Sequence, residues 1–512
     1  MESTSHVNSK RIAKNTIVLY VRTIVTMLIA LYTSRVILKN LGVEDYGLYN
    51  VIGGFVSLLS VVVSGLTTSI QRFLSYEIGS GNRDNLRNVF SVSFYTVLGL
   101  VFIVIILAET LGLWFVNNKL NIPDGRSVAA NFIYQFSIIS FSISLMRIPY
   151  LAILVSHERM TVFAFIGIFD AVLKLIIASA LAFTNSDRLI LYGGLMILVS
   201  VITFSTYKFI CAKDYPESRL KVIMDKSLLK RIFSFSSWTL LGQGAMVCAN
   251  QGNNMLINIF HSVSANAASG IGNQVNAALT SLTHNFFSAY QPQITKSYAA
   301  KEYKSTLQLV YSSTKLSFFL TFLVAVPILF NLDDVLKIWL GTVPEFTNIF
   351  CLIFITSSIV NSFGNPCWTA IFASGNIKML QILSAILYFF DIILVYLFFS
   401  KGLPPYYAPL AKLLIDCFIT LLRIFIAKKF VVQFSVRCYI KKVLVPIVLT
   451  ASIIISIGYF LFVIVDTTAL KIVFTLILVI TSLVVSYFIG LSGDEKETVD
   501  NFVKRILNKR NA

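Results

Sequence analysis

Apolar runs of about 20 residues, each closed by a short polar stretch, recur along the whole chain. "TVLGLVFIVIILAETLGLWFV" and "ASIIISIGYFLFVIV" are typical. A helix rising about 1.5 Å per residue needs about 20 such residues to cross a hydrocarbon core of about 30 Å. Read with their breaks, the runs predict fourteen spans, at 15–37, 51–70, 89–116, 132–156, 162–183, 189–212, 238–260, 264–290, 306–330, 347–372, 380–399, 408–426, 443–464 and 472–491. The expected fold class is an all-α polytopic membrane protein.

Two of these segments break the pattern. The seventh, "WTLLGQGAMVCANQGNNMLINIF", carries Gln243, Asn250, Gln251, Asn253, Asn254 and Asn258. The eighth, "SANAASGIGNQVNAALTSLTHNFFSAY", is polar for most of its length. Hydrocarbon offers amides no hydrogen-bond partner, so both helices need shelter from lipid. Basic residues test whether the eighth crosses at all, because cytoplasmic loops are enriched in Lys and Arg. With the N-terminus inside, inner segments hold 27 basic residues and outer loops 7. Omitting the eighth span would invert everything after it and destroy that asymmetry.

Composition agrees with the pattern. Of 512 residues, 56% are hydrophobic and 13% charged, against about 25% charge in soluble domains. The first run, 15–37, is too long for a signal-peptide core and holds Arg22, so it reads as a span that stays. The net charge of +18 is chiefly a topology signal with contact to anionic lipid, rather than a nucleic-acid surface. Six cysteines without a CxxC pair and four scattered histidines leave little material for a metal site. In the tail, Val499, Phe502, Val503, Ile506 and Leu507 share one helical face. The linker "DKSLLKRIFSFSS" has a similar pattern, and both read as interfacial helices on the cytoplasmic leaflet.

A weak internal repeat appears at an offset of about 220 residues. "TSIQRFLSYEIGSGN" lies over "FSAYQPQITKSYAAKEY", Ala152–Ser156 over Ala370–Ser374, and Phe169–Asp170 over Phe390–Asp391. Matches in one order at nearly one offset point to two pseudo-symmetric six-helix bundles. The expected organisation is an N-terminal bundle at 1–212, an amphipathic linker at 213–237, a second bundle at 238–430, two extra spans at 431–491 and an amphipathic tail at 492–512. Parallel repeats of this kind place a substrate site at their interface near mid-membrane.

At "LGVEDYGLYNVIGG", "QRFLSYEIGSGN" and "LKIWLG" the sequence resembles the bacterial Wzx-type polysaccharide flippases of the multidrug/oligosaccharidyl-lipid/polysaccharide exporter superfamily. The resemblance covers nearly the whole chain. It implies a translocator of undecaprenyl-pyrophosphate-linked oligosaccharide in the bacterial inner membrane, with both termini cytoplasmic. It further implies that the sugar head turns to the periplasmic face as two halves rock between inward- and outward-open states. Surface polysaccharide such as O-antigen of lipopolysaccharide is the implied product. A polysaccharide polymerase and glycosyltransferases are the implied partners, beside membrane lipids.

Charged residues at helix centres cost about 2.5–3.5 kcal/mol on insertion scales, so each needs a reason. Arg22, Arg35, Arg147, Lys174, Lys315 and Lys412 stand within spans, with Glu109, Asp170, Asp391 and Asp416. Asp170/Lys174 and Lys412/Asp416 have i,i+4 spacing and can pair on their own helices. Arg35 and Glu109 can reach the outer interface. Arg22, Arg147 and Lys315 then stand against Asp391, at comparable depth from the inner side. They are the candidates for the diphosphate, whose oxygens pair with guanidinium forks. The competing structural role is neutralisation by Asp391, with the others on carbonyls or lipid phosphates. Gln243, Asn250, Asn254, Asn266 and Asn273 are the candidates for a wet, sugar-binding wall, against the plainer role of bridging helices.

No cofactor is expected. Asp391 and Asp170 are the candidates for coupling to H+ or Na+, because a buried carboxylate can carry a proton. An ion-coupled multidrug/cation antiporter is the alternative, but it calls for an acidic aromatic cavity rather than a basic surplus. An enzyme of polysaccharide assembly would need a sizeable outer loop with catalytic groups. The longest outer loops here span about fifteen residues without histidine, and no P-loop is present.

Overall fold

A computed structural model describes residues 2–57, 60–119, 125–184, 187–221, 225–261, 263–340, 343–463, 468–497 and 500. Among these residues no strand forms. The helices are α1 (Glu2–Ser57), α2 (Ser60–Ser80), α3 (Arg83–Leu107), α4 (Leu113–Lys119), α5 (Ser127–Met146), α6 (Ile148–Ser156), α7 (Met160–Ala180), α8 (Arg188–Asp214) and α9 (Lys226–Phe260). Then follow α10 (Val263–Ala299), α11 (Tyr303–Phe330), α12 (Leu332–Leu340), α13 (Thr347–Ser374), α14 (Lys378–Ser400), α15 (Tyr407–Phe430), α16 (Val436–Tyr439), α17 (Val445–Phe462) and α18 (Thr468–Val485). The chain is an all-α polytopic membrane protein.

Eleven helical segments among the described residues are long and apolar enough to cross a membrane. They coincide with eleven of the expected spans. The remaining three are long helices too: α2 and α10 are less apolar, and α15 carries Lys412, Asp416 and Arg423 within its run. Residues 58–59 fall inside the expected second span, so its continuity lies outside the described residues. The first span ends at Gly42, where φ 80° and ψ 174° interrupt α1. That region of backbone space is open essentially to glycine alone, which accounts for the glycine in "LGVEDYG".

The fourth span is broken. α5 stops at Met146, Arg147 sits at the junction, and α6 resumes at Ile148 with Pro149 in its first turn. Proline has no N–H to donate and its ring crowds the preceding turn, so a break here is expected. Pro327 and Pro366 are instead absorbed within α11 and α13.

By contacts the chain divides inside α9. Ile17–Leu240 form one unit, and Leu241–Ala512 with Met1–Thr16 form the other. In the first, here the N unit, α2 packs on α6 and α3, α5 on α8, and α7 on α8. In the second, the C unit, α10 packs along α13 and α11, and α13 along α15. α17 and α18 pack on each other and on α11.

The polar α10 thus shelters one side against two neighbours. Gly272 lets Phe354 and Phe350 close on it: a Cβ there would lie 2.7 Å from Phe354 Cδ2. Asn276 Oδ1 accepts from the Ser358 hydroxyl at 2.5 Å, and Thr283 bonds Thr321 at 3.0 Å. Gln274, Thr280 and His284 lie on its exposed side.

The linker differs from expectation. Lys226–Ser237 is not a separate interfacial helix but the first three turns of α9, because no Gly or Pro interrupts the stretch. Leu228, Ile232 and Phe235 form its buried stripe, and Phe235 meets Phe73 edge-on at 5.4 Å. The amphipathic tail face that includes Val499 and Phe502 lies outside the described residues.

Candidate functional site

In the N unit, the cation of the first span lies within electrostatic reach of Arg147 at the break of the fourth. Arg22 projects from α1 onto α7, where its guanidinium carbon stands 4.3 Å from the centre of the Phe163 ring. Gly167, one turn on from Phe163, leaves the room: a Cβ there would lie 2.5 Å from Arg22 Nε. The guanidinium is therefore held between an aromatic face and a bare α-carbon. Cation–π attraction supplies about 0.5–2 kcal/mol but no hydrogen bond. Arg22 Nε is buried and has no hydrogen-bond partner.

Arg147 lies over the Tyr207 ring on α8, at 5.6 Å. Arg22, Arg147, Tyr207 and Asp170 are within electrostatic reach of one another. Asp170 is engaged elsewhere. It pairs with Lys174 at 2.7 Å, as the i,i+4 spacing predicts, and accepts from the Thr203 hydroxyl at 3.0 Å. Neither Arg22 nor Arg147 makes an ion pair with another described residue. Three cations and one carboxylate leave this cluster with two positive charges.

Lys315 has its own partner. It belongs to the C unit, is 3% exposed, and pairs with Glu495 just beyond the last span. The Ser492 backbone N–H also donates to Glu495, at 2.8 Å, and Gln308 donates to Asp494 at 3.2 Å. The segment after α18 is thus tied to α11. Gly490 permits it, since a Cβ there would lie 2.2 Å from Phe319. Burial by itself pushes the Glu495 carboxyl up. The hydrogen bond and charge of Lys315, with the Ser492 N–H and the Ser312 hydroxyl, outweigh it and hold the group below the ordinary carboxylate range.

Asp391 belongs to the C unit. It is 1% exposed and accepts from Asn253 Nδ2 at 2.8 Å. Its other oxygen and the Asn253 carbonyl oxygen are both buried without a donor. Close by in chain order, Asp416 accepts from Ser357, from Asn361 at 3.1 Å and from Lys412 at 3.4 Å. Asn253, Ser357 and Asn361 are functional candidates that charge counting misses. Asn253 was visible only as one amide among several in the seventh span.

The other amides divide. Asn250 and Asn273 are half-buried and make no side-chain hydrogen bond among the described residues, whereas Asn254 Oδ1 accepts from Ser269 at 3.4 Å. Gln243 is half-buried and has a partner. The Asn266 side chain lies outside the described residues.

A family model described as "Polysaccharide biosynthesis protein" matches residues 12–298. No curated protein matches the chain significantly. Among solved structures, a MATE protein in the bent conformation is similar at 13% identity and a TM-score of 0.72, covering 82% of this chain and 95% of its own. The straight conformation of a MATE gives 13% identity and a TM-score of 0.70 over 82% and 96%. A MOP superfamily transporter from Pyrococcus furiosus, described as having a binding pocket of reverse polarity, gives 14% identity and a TM-score of 0.67 over 82% and 95%. At such identities the likeness is one of fold.

Proposed function

The chain belongs to the polysaccharide biosynthesis protein family, and on that basis we propose that it moves undecaprenyl-pyrophosphate-linked oligosaccharide from the cytoplasmic to the periplasmic leaflet of a bacterial inner membrane. Two halves that alternate in access carry the head group across. The observation that carries this reading is the pair Arg22 and Arg147, neighbouring guanidiniums in the N unit with no carboxylate partner of their own. An uncompensated cation within a span is costly unless an anion visits it. A diphosphate is such an anion, and charge-assisted bonds to it are among the strong ones.

The amide-rich α9 and α10 suit hydroxyl-rich cargo, since neutral donors and acceptors keep a surface wet without demanding charge. The second reading, an ion-coupled cation antiporter, draws on the buried carboxylate Asp391 with its unpartnered oxygen. It would use the C unit for a cationic substrate and leave the two arginines without a task.

The test is flipping of labelled lipid-linked oligosaccharide in proteoliposomes. Arg22→Ala and Arg147→Ala should each lower the rate to below roughly a tenth, given about 1.5–3 kcal/mol per charged hydrogen bond. Lysine at either place should restore part of it. Wild-type flux in both alanine variants would reject the diphosphate assignment. Drug export without lipid flipping would favour the antiporter.

A further inference from the structure

We infer that Arg423 is a second phosphate-binding guanidinium, doing in the C unit what Arg147 does in the N unit; the inference rests on the flippase reading. Arg423 is not among the in-span cations singled out from the sequence. It falls near the inner end of the 408–426 run, where basic residues serve as topology markers.

Its surroundings set it apart from the other in-span cations of its unit. Lys412 pairs with Asp416 and Lys315 with Glu495. Arg423 makes no ion pair with any described residue. Among the described residues its one side-chain bond is from Nη1 to the neutral Asn365 Oδ1 on α13, at 2.9 Å. Nε is buried without an acceptor, and so is the Thr420 hydroxyl one turn earlier on α15. Gly364 makes room beneath the side chain: a Cβ there would lie 3.0 Å from Arg423 Cδ and 3.2 Å from Nη1. A guanidinium held by one neutral amide keeps most of its five donors for another acceptor.

The repeat strengthens the comparison. In the register that lays Ala370–Ser374 over Ala152–Ser156, Asn365 falls on Arg147. A proline follows each position, Pro149 two residues after Arg147 and Pro366 directly after Asn365. The N unit carries its guanidinium on the fourth span, over an aromatic of the sixth. The C unit carries it on the helix that corresponds to the sixth, bound to the residue that corresponds to Arg147. Each unit thereby keeps an acid-free guanidinium at the matching pair of helices. Phosphate oxygens are the chemistry both would recognise, whether from the diphosphate of a lipid-linked sugar or from an ordinary phospholipid head group.

The experiment measures binding of undecaprenyl pyrophosphate to the full chain in nanodiscs of neutral lipid. Wild type is compared with Arg423→Ala, Arg423→Gln, Arg423→Lys and Arg22→Ala. Thermal melting is followed in parallel. Glutamine can still donate to Asn365 but carries no charge, so it separates a structural bond from an ionic one. We expect Arg423→Gln and Arg423→Ala to weaken binding roughly tenfold or more, and Arg423→Lys to recover part of the loss. Wild-type affinity in Arg423→Gln, with Arg22→Ala weakened, would overturn the inference and leave the flippase reading standing. No binding by the wild type would overturn both. Competition with phosphatidylglycerol separates the sources. If it displaces the diphosphate lipid at equal concentration, the phosphate that Arg423 holds is that of an ordinary phospholipid; if it does not, the lipid-linked diphosphate is the source.

Discussion

Gly167 shows how much of the N-unit site depends on one missing side chain. A methyl at that α-carbon would occupy a point 2.5 Å from Arg22 Nε, so the guanidinium would have to leave its place against Phe163. Overpacking of this kind costs about 1–3 kcal/mol, yet here the displaced group can swing aside. Gly167→Ala should therefore lower oligosaccharide flipping by roughly tenfold while thermal melting changes little. A large drop in melting temperature with an unchanged rate per folded molecule would mean that the glycine serves packing alone. Sequence reading names Arg22 from its depth in an apolar run. The glycine opposite carries no such mark, because it lies 145 residues away on another helix. The same holds for Lys315. Its partner Glu495 lies 180 residues on, past the last span, and no local spacing joins them.

That pair carries a pH signature. The Glu495 carboxyl is held below its ordinary range when folded, so its contribution to stability is fully present above the unfolded pKa of about 4.3. The contribution is lost as pH falls through the lower, folded value. In detergent, wild type should melt well above Glu495→Gln at pH 7, and the gap should close as pH falls below about 4. A gap that stays constant from pH 7 to pH 3 would show that the carboxylate charge contributes nothing.

At the scale of elements, the periodic part of the fold is readable and the contacts are not. Eleven spans follow from apolar length alone, because lipid demands a continuous apolar helix whatever its neighbours. For the eighth, the distribution of basic residues leads to the expectation of a span, and a long helix, α10, forms there. What cannot be read is that α9 runs without interruption from Lys226, since an amphipathic turn and the start of a span look alike when no breaker parts them. Among the amides, period places Asn250 and Asn254 on one face of α9, but only packing shows that Asn253 beside them is the one bound to Asp391. If α9 and α10 wall a wet space, cysteines at Asn254 and Asn273 will react with membrane-impermeant thiol reagents. The background must lack the exposed Cys248 and Cys438. Thiols inert at both positions would show these helices to be packed dry.

Across the whole molecule, basic and acidic in-span groups are not distributed alike. The N unit sets Arg22, Arg35, Arg147 and Lys174 against Glu109 and Asp170, whereas the C unit buries Asp391 and Asp416. Asp416 is matched by Lys412, but Asp391 has only a neutral amide and keeps an oxygen without a donor. A buried carboxylate so placed is costly when charged, and it gains from a proton or a small cation. Moving a head group of one to two negative charges across 100 mV involves about 2.3 kcal/mol per charge, so a coupled cation would change the energetics of each cycle. Asp391→Asn should therefore remove the response of flipping to an imposed proton or sodium gradient while slow, gradient-independent exchange between leaflets persists. Asparagine can still meet Asn253, so the helix contact is retained while the titratable oxygen is lost. Flipping that responds equally to both gradients in wild type and Asp391→Asn would remove Asp391 from the coupling step. Asp170, tied to Lys174 and Thr203, would then be the remaining carboxylate to test in the same way.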